Sequence, residues 1–193
     1  MVKKGSILFK KHSREPDWRT VGIIGAGRSV GVTHLAIWLA NYLTGVKGQR
    51  TAVLEWNTHG DFRRLGDRRI LEVDYYGEAD APVLAQCLNG KYQCIITDFG
   101  EITEAGIVEC TRCDRKIVTG SASPWQMDAF MEALERGKHL DKSWQYAAAF
   151  GSGKTRNMME RRWHTPILEI PPSADAFTVT RADMDFFRKL LGQ

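Results

Sequence analysis

The apolar positions along this chain fall into short continuous runs and longer helical stripes, and the two alternate. Val21-Gly22-Ile23-Ile24 is a continuous apolar run bounded by glycine, the pattern of a strand buried on both faces. A glycine-rich turn, Gly25 to His34, follows it. Leu35 to Leu43 predicts a helix with almost no polar face, because Leu35, Ile37, Trp38, Leu39, Tyr42 and Leu43 leave Asn41 as its one clearly polar residue. Gly45 and Gly48 close that helix. Thr51 to Glu55 predicts a second strand and Arg68 to Val73 another. Asp80 to Leu88 predicts a helix, with Pro82 in its first turn and Gly90 at its end. Tyr92 to Asp98 is β-branched and apolar and ends on a carboxylate, which predicts a strand, with Phe99-Gly100 as the turn after it. Glu101 to Thr111 reads as helix, Arg115 to Thr119 as strand, and Trp125 to Gly137 as an amphipathic helix carrying Met127, Phe130, Met131 and Leu134. Trp144 to Phe150, Arg156 to Trp163 and Ile167 to Ile170 continue as strand, helix and strand. Beyond Pro171-Pro172, Thr180 caps a last helix whose apolar side is Met184, Phe186, Phe187, Leu190 and Leu191.

This alternation predicts an α/β fold: a three-layer, doubly wound, mainly parallel sheet with helices on both faces. The 193 residues suit one such domain, residues 20–193, preceded by a basic arm, residues 1–19. No apolar run approaches the roughly 20 residues a membrane span needs. The lysine-rich start lacks the apolar core of a signal peptide, so the expected location is cytoplasmic. The net charge of +4 matters through its placement. Lys3, Lys4, Lys10, Lys11, Arg14 and Arg19 face only Glu15 and Asp17, so the first 20 residues carry the entire excess. Such an arm suits contact with an anionic surface, nucleic acid or lipid, or is a solvated leader.

A strand, a glycine loop and a buried helix together make a phosphate cradle, because successive N–H groups and the positive end of the helix dipole point at one spot. Set against G-x-x-x-x-G-K-[ST], the chain places Ala26 at the first glycine, Gly31 at the second, Val32 at the lysine and Thr33 at the hydroxyl. The backbone and the magnesium-binding hydroxyl survive; the lysine that neutralises the terminal phosphates does not. That difference separates holding a nucleotide from cleaving one.

Three motifs in order resemble the ParA/MinD family of P-loop ATPases. Gly27-Arg28-Ser29-Val30-Gly31-Val32-Thr33 stands where that family reads K-G-G-x-G-K-[ST], with Val32 at the phosphate lysine and Gly27 at the signature lysine; Arg28 lies one residue away from the latter. Glu55-Trp56-Asn57-Thr58-His59-Gly60-Asp61 aligns with D-x-D-P-Q-G-N, and Asn57 replaces the aspartate that orients magnesium and the attacking water. Cys94-Ile95-Ile96-Thr97-Asp98 is similar to the Walker B strand. Ile170 to Phe177 is similar to the segment bordering the base. The resemblance implies ATP or ADP with magnesium, cradled by Gly27, Arg28, Ser29, Val30, Gly31, Val32, Thr33 and His34. Pro171 and Asp175 would stand near the base, and Thr33 and Asp98 at the metal. No confident catalytic residue remains, with Asn57 and Val32 at the family's catalytic positions. The implied function is a degenerate nucleotide-binding domain with weak or no ATP binding and little or no hydrolysis. It would act in localisation or assembly through a protein partner or self-association, as the worn loops of the CpaE/TadZ-like pilus members suggest.

Other readings remain open on the residues. An active ATPase switch would need Arg28 or Lys154 in place of the missing lysine. Gly151-Ser152-Gly153-Lys154-Thr155 is a second glycine loop between a strand and a helix, either a cradle or an ordinary basic loop. Cys110 and Cys113 have metal-like spacing, and a two-fold axis would turn two thiols into four. Small core residues fit the same spacing. The five histidines, His12, His34, His59, His139 and His164, form no ligand pattern.

Overall fold

The computed structural model describes residues 18–66, 68–137, 139–140 and 143–192. Lys3, Lys4, Lys10, Lys11 and Arg14 of the basic arm lie outside those residues. Eight strands form one sheet. In chain order they are β1 (Thr20–Gly25), β2 (Thr51–Glu55), β3 (Arg69–Ile70), β4 (Val73–Tyr76), β5 (Cys94–Glu101), β6 (Arg115–Ala122), β7 (Trp144–Gly151) and β8 (Ile167–Glu169). Their order across the sheet is β3-β4-β2-β5-β1-β6-β7-β8, with every pair parallel except β3 with β4. The helices are α1 (Val32–Gly45), α2 (Ala81–Asn89), α3 (Glu104–Thr111), α4 (Met127–Gly137), α5 (Gly153–Trp163) and α6 (Met184–Leu190). This is the three-layer, doubly wound α/β architecture of P-loop NTPases. Among the described residues no helix is long and apolar enough to cross a membrane.

The strands of an all-parallel region are covered on both faces, and alternate residues feed two cores. Val21 and Ile23 of β1, Val53 of β2 and Ile96 of β5 pack with α1 and α6 on one face. Ile24 and Val118 meet Cys110, Phe130, Met159 and Trp163 of α3, α4 and α5 on the other. Ala52, Leu54 and Ile95 pack against Cys87 of α2. Helix α1 is enclosed nearly all round. Its one polar interior residue, Asn41, donates to the Ile37 carbonyl at 2.9 Å and to the Tyr75 hydroxyl at 3.4 Å, which satisfies it.

The start of β1 is tied down by charge. The Asp114 carboxylate accepts from the Arg19 amide, the Thr20 amide and the Thr20 hydroxyl, each at 2.8 Å. Partial burial pushes its pKa up, but these donors outweigh it, and the net pKa lies below the ordinary 3.8. An acid whose folded pKa is depressed adds stability above its unfolded pKa and loses it as pH falls through the folded value. The stability gap between wild type and Asp114→Ala should therefore be full at neutral pH and close below about pH 3.8. Denaturant titrations at several pH values check this; a gap independent of pH would contradict it. Arg19 itself is not part of a free arm: its guanidinium donates to the carbonyls of Tyr92 at 2.9 Å and Gly90 at 3.1 Å, at the end of α2.

The structure corrects several boundaries. Arg68 to Val73 is a hairpin rather than a strand. Leu71 and Glu72 have positive φ, 49° and 64°, and turn the chain from β3 into β4 with no glycine to announce it. Strand β5 runs on through Phe99-Gly100, because Gly100 at φ 64° absorbs a register shift against β1. Helix α1 starts at Val32, one turn before Leu35. Trp125 precedes α4 and is 81% exposed.

Gly22 explains where the cysteine pair sits. A Cβ there would stand 2.7 Å from Cys110 Sγ and 3.0 Å from both Cys113 Sγ and Phe99 Cε2. Both thiols thus press onto β1, from α3 and the turn that follows it, and Cys110 is fully buried. Burial pushes both thiols up. Cys113 is half-buried. Among the described residues no group of three or more His, Cys, Asp and Glu side chains could hold a metal ion. Gly22→Ala should cost about 1–3 kcal/mol by overpacking. Cys110→Ala in the same background should recover part of that loss in chemical unfolding. A neutral Gly22→Ala would mean the thiols do not pack on this strand.

Candidate phosphate-binding site

Sheet order creates the site. Strands β5 and β6 flank β1, so the chain leaves β1 toward opposite edges, and the crevice at the carboxyl ends of the strands opens there. The loop after β1 is anchored where it leaves the strand. Ala26 donates its amide to the Thr119 carbonyl at 2.7 Å, and the Gly25 carbonyl accepts from the Ile102 amide at 2.8 Å. Gly31, in the left-handed region at φ 85°, starts α1. No side chain caps that start, and the first turn holds no acid, so its amides face the cavity without a protein partner supplied by a cap. The loop and its neighbours enclose about 510 Å³.

Register then sets the acids. Strand β5 pairs Asp98 with Ile23 on one side and Glu55 on the other. Asp98 is fully buried. Its Oδ1 accepts from the Gly100 amide at 2.9 Å, while Oδ2 has no hydrogen-bond partner. Burial pushes the carboxyl pKa up, the Thr33 hydroxyl and the Gly100 amide pull it down, and the net shift is upward. An orphaned buried oxygen beside a hydroxyl is a site a divalent cation would satisfy, so Thr33 and Asp98 fit magnesium. Glu55, equally buried, does something else. Its Oε1 accepts from the Asp61 amide at 2.6 Å and its Oε2 from the Phe62 amide at 3.3 Å, which locks the loop after β2.

Val32 and Asn57 are both turned to structural use. Val32 is buried, with Cγ2 against Gly25. Asn57 donates its amide to the Asp98 carbonyl at 3.2 Å and accepts the His59 amide at 2.9 Å, so both ends of its side chain hold loops together. Arg28 lies at the cradle's rim, where its Nε pairs with Glu101 Oε1 at 3.1 Å and its side chain stays exposed. A Cβ at Gly27 would meet only Ala129, so nothing steric requires glycine there.

A second cavity, about 690 Å³, adjoins the first. The two share Val30, Gly31 and His34. Its walls are the ends of β7 and β8 and the Pro171-Pro172 loop. Pro171 lines it. Asp175 is not among its walls; it builds its own turn, accepting from the Phe177 amide at 2.9 Å and the Thr178 hydroxyl at 2.7 Å. The His34 Nε2 is buried with no hydrogen-bond partner. The second glycine loop forms another wall. Ser152 caps α5 by accepting from the Thr155 amide at 3.2 Å, and Lys154 is exposed beyond it. The Arg156–Glu169 ion pair at this wall, and the inward use of Glu55, were not read from the sequence. Both depend on which strands are neighbours, and no local pattern carries that.

The fold is the one seen in solved structures of ParA and MinD proteins. No family model matches the chain, and no curated protein matches it significantly in sequence. Solved structures do match in shape. A plasmid partition protein of Borrelia burgdorferi bound to AMPPNP is 15% identical with TM-score 0.61, over 93% of this chain and 98% of that one. The cell division ATPase MinD of Pyrococcus furiosus is 13% identical with TM-score 0.63, over 90% and 97%. The MinC:MinD cell division complex of Aquifex aeolicus matches at 11% identity and TM-score 0.59, over 89% and 86%.

Proposed function

We propose that this domain is a degenerate ParA/MinD-like nucleotide-binding module that holds ATP or ADP with magnesium weakly and does not hydrolyse it. It acts as a localisation or assembly protein through its loop face. The observation that carries this reading is the state of the two demanding positions. Val32 is packed under the loop where a lysine would meet phosphate, and Asn57 is a loop tie where a carboxylate would orient water. The cradle, Thr33 and Asp98 remain. AMPPNP in the Borrelia protein supports nucleotide as the ligand class, and the MinC:MinD complex supports a protein partner.

In this reading the α1 amides and the loop hold phosphate, and Thr33 and Asp98 hold magnesium, which would neutralise phosphate oxygens. Asn57 cannot take a proton from water, since an amide is no base at neutral pH. The active-switch alternative would need Arg28 to leave Glu101, or Lys154 to reach the loop from α5.

Without the signature lysine at Gly27, nucleotide no longer controls pairing of two chains. Sedimentation of the purified protein should give the same association state with and without ATP–magnesium. A monomer that dimerises only when both are added would overturn the assembly reading and restore a nucleotide switch.

A further inference from the structure

Phe150 occupies a backbone position suited to glycine. Strands β6 and β7 keep register up to Ser121 with Ala149 and then pair Ala122 with Gly151, so Phe150 is the extra residue of a bulge. It sits in the left-handed region at φ 58°, an outlier for a bulky side chain, and Gly151 follows at φ 89°. A Cβ at Gly151 would run into the Ala122 backbone, so β6 presses closely on the bulge. The ring gains little burial in return: Phe150 is 66% exposed and lines the larger cavity, of about 690 Å³. Strain and exposed apolar area both oppose folding, and a bulge is a device for re-aiming one side chain.

That cavity continues into the phosphate cradle, since Val30, Gly31 and His34 line both. A nucleotide with its phosphates in the cradle therefore carries its base into the larger cavity. The wall has little left to read a base by its edges. Arg156 is paired with Glu169, Ser152 accepts from the Thr155 amide at 3.2 Å, and Ser173 donates to the Asp175 carbonyl at 3.1 Å. His34 presents no accessible Nε2, and Pro171 and Pro172 have no N–H. What the wall does offer is a ring. Every base has a π-face, and stacking on it is tolerant of the groups along the edge.

We infer that Phe150 is the stacking platform for the base, and that the site therefore accepts adenine and guanine nucleotides alike. This rests on the nucleotide reading above and adds how the base end is held.

Titration calorimetry of the purified protein with ATP, GTP and tripolyphosphate, each with magnesium and taken to millimolar concentration, tests both parts. ATP and GTP should bind within about fivefold of each other. Phe150→Ala should weaken both about fivefold or more, the scale of one base–aromatic stack, and leave tripolyphosphate unchanged. Phe150→Trp should hold the nucleotide affinity. Phe150→Gly should lose nucleotide as Phe150→Ala does, yet unfold at a higher urea midpoint than Phe150→Ala, because glycine takes the left-handed position without strain. The same urea curves show that the variants are folded. Discrimination between ATP and GTP beyond fivefold would overturn the base-tolerant site and leave the nucleotide reading standing. Unchanged nucleotide binding in Phe150→Ala, or an equal loss of tripolyphosphate, would overturn the role given to Phe150. Absence of heat with all three ligands would overturn the nucleotide reading and this inference together.

Discussion

Phe187→Ala is expected to cost the fold about 3–5 kcal/mol, the range for deleting a fully enclosed aromatic ring. Phe187 is fully buried in α6. Its ring stacks on Tyr42 with centroids 4.6 Å apart and meets Trp38 edge-on at 4.8 Å. Phe186, at 5.3 Å, closes the cluster, and Trp38 is held from outside by its indole N–H donating to the Thr178 carbonyl at 3.0 Å. These contacts bind the last helix to α1, the helix whose first turn forms the cradle. Little can collapse into the space left by the ring, because every neighbour is itself fixed by packing or a hydrogen bond. Trp125→Ala, at a residue 81% exposed, should stay within about 0.5 kcal/mol. Urea midpoints of the two variants measure the contrast. Equal shifts would mean that α6 does not anchor α1.

How far the sequence revealed this molecule follows from the range of the interactions involved. Helix α1, β5, the helix at Asp80 and the cap at Thr180 were legible because their signals are local. The Asp80 carboxylate accepts from Val83 three residues on, and Thr180 and Asp183 form a reciprocal box. The strand that carries Asp98 was legible from its apolar, β-branched run, although β5 runs on to Glu101. The hairpin at Leu71-Glu72 was not, since its left-handed turn uses residues that seldom mark one. Nor was the fate of Arg28: Glu101 is 73 residues away, and only the pairing of β1 with β5 brings them together. The same holds for Glu55, whose loop-locking bonds depend on how the chain returns after β2. Fold class rests on periodicity and survives such ignorance; the electrostatics of a site rests on neighbours and does not.

The second large effect concerns catalysis. In phosphoryl transfer, positioning and charge stabilisation supply nearly all of the rate, and a single missing cationic group removes several orders of magnitude. In the proposed reading the buried Val32 stands where the cation would be, and Asn57, whose amide is engaged with the Asp98 carbonyl, stands where the water-orienting carboxylate would be. Asp98 retains one orphaned oxygen beside Thr33, enough to meet a metal but not to activate water without a partner. The most direct test is phosphate release from ATP–magnesium, measured over a range of protein concentrations in wild type and in Asp98→Ala. The account predicts turnover at background for both proteins. Release that rises in proportion to wild-type protein and vanishes in Asp98→Ala would contradict it.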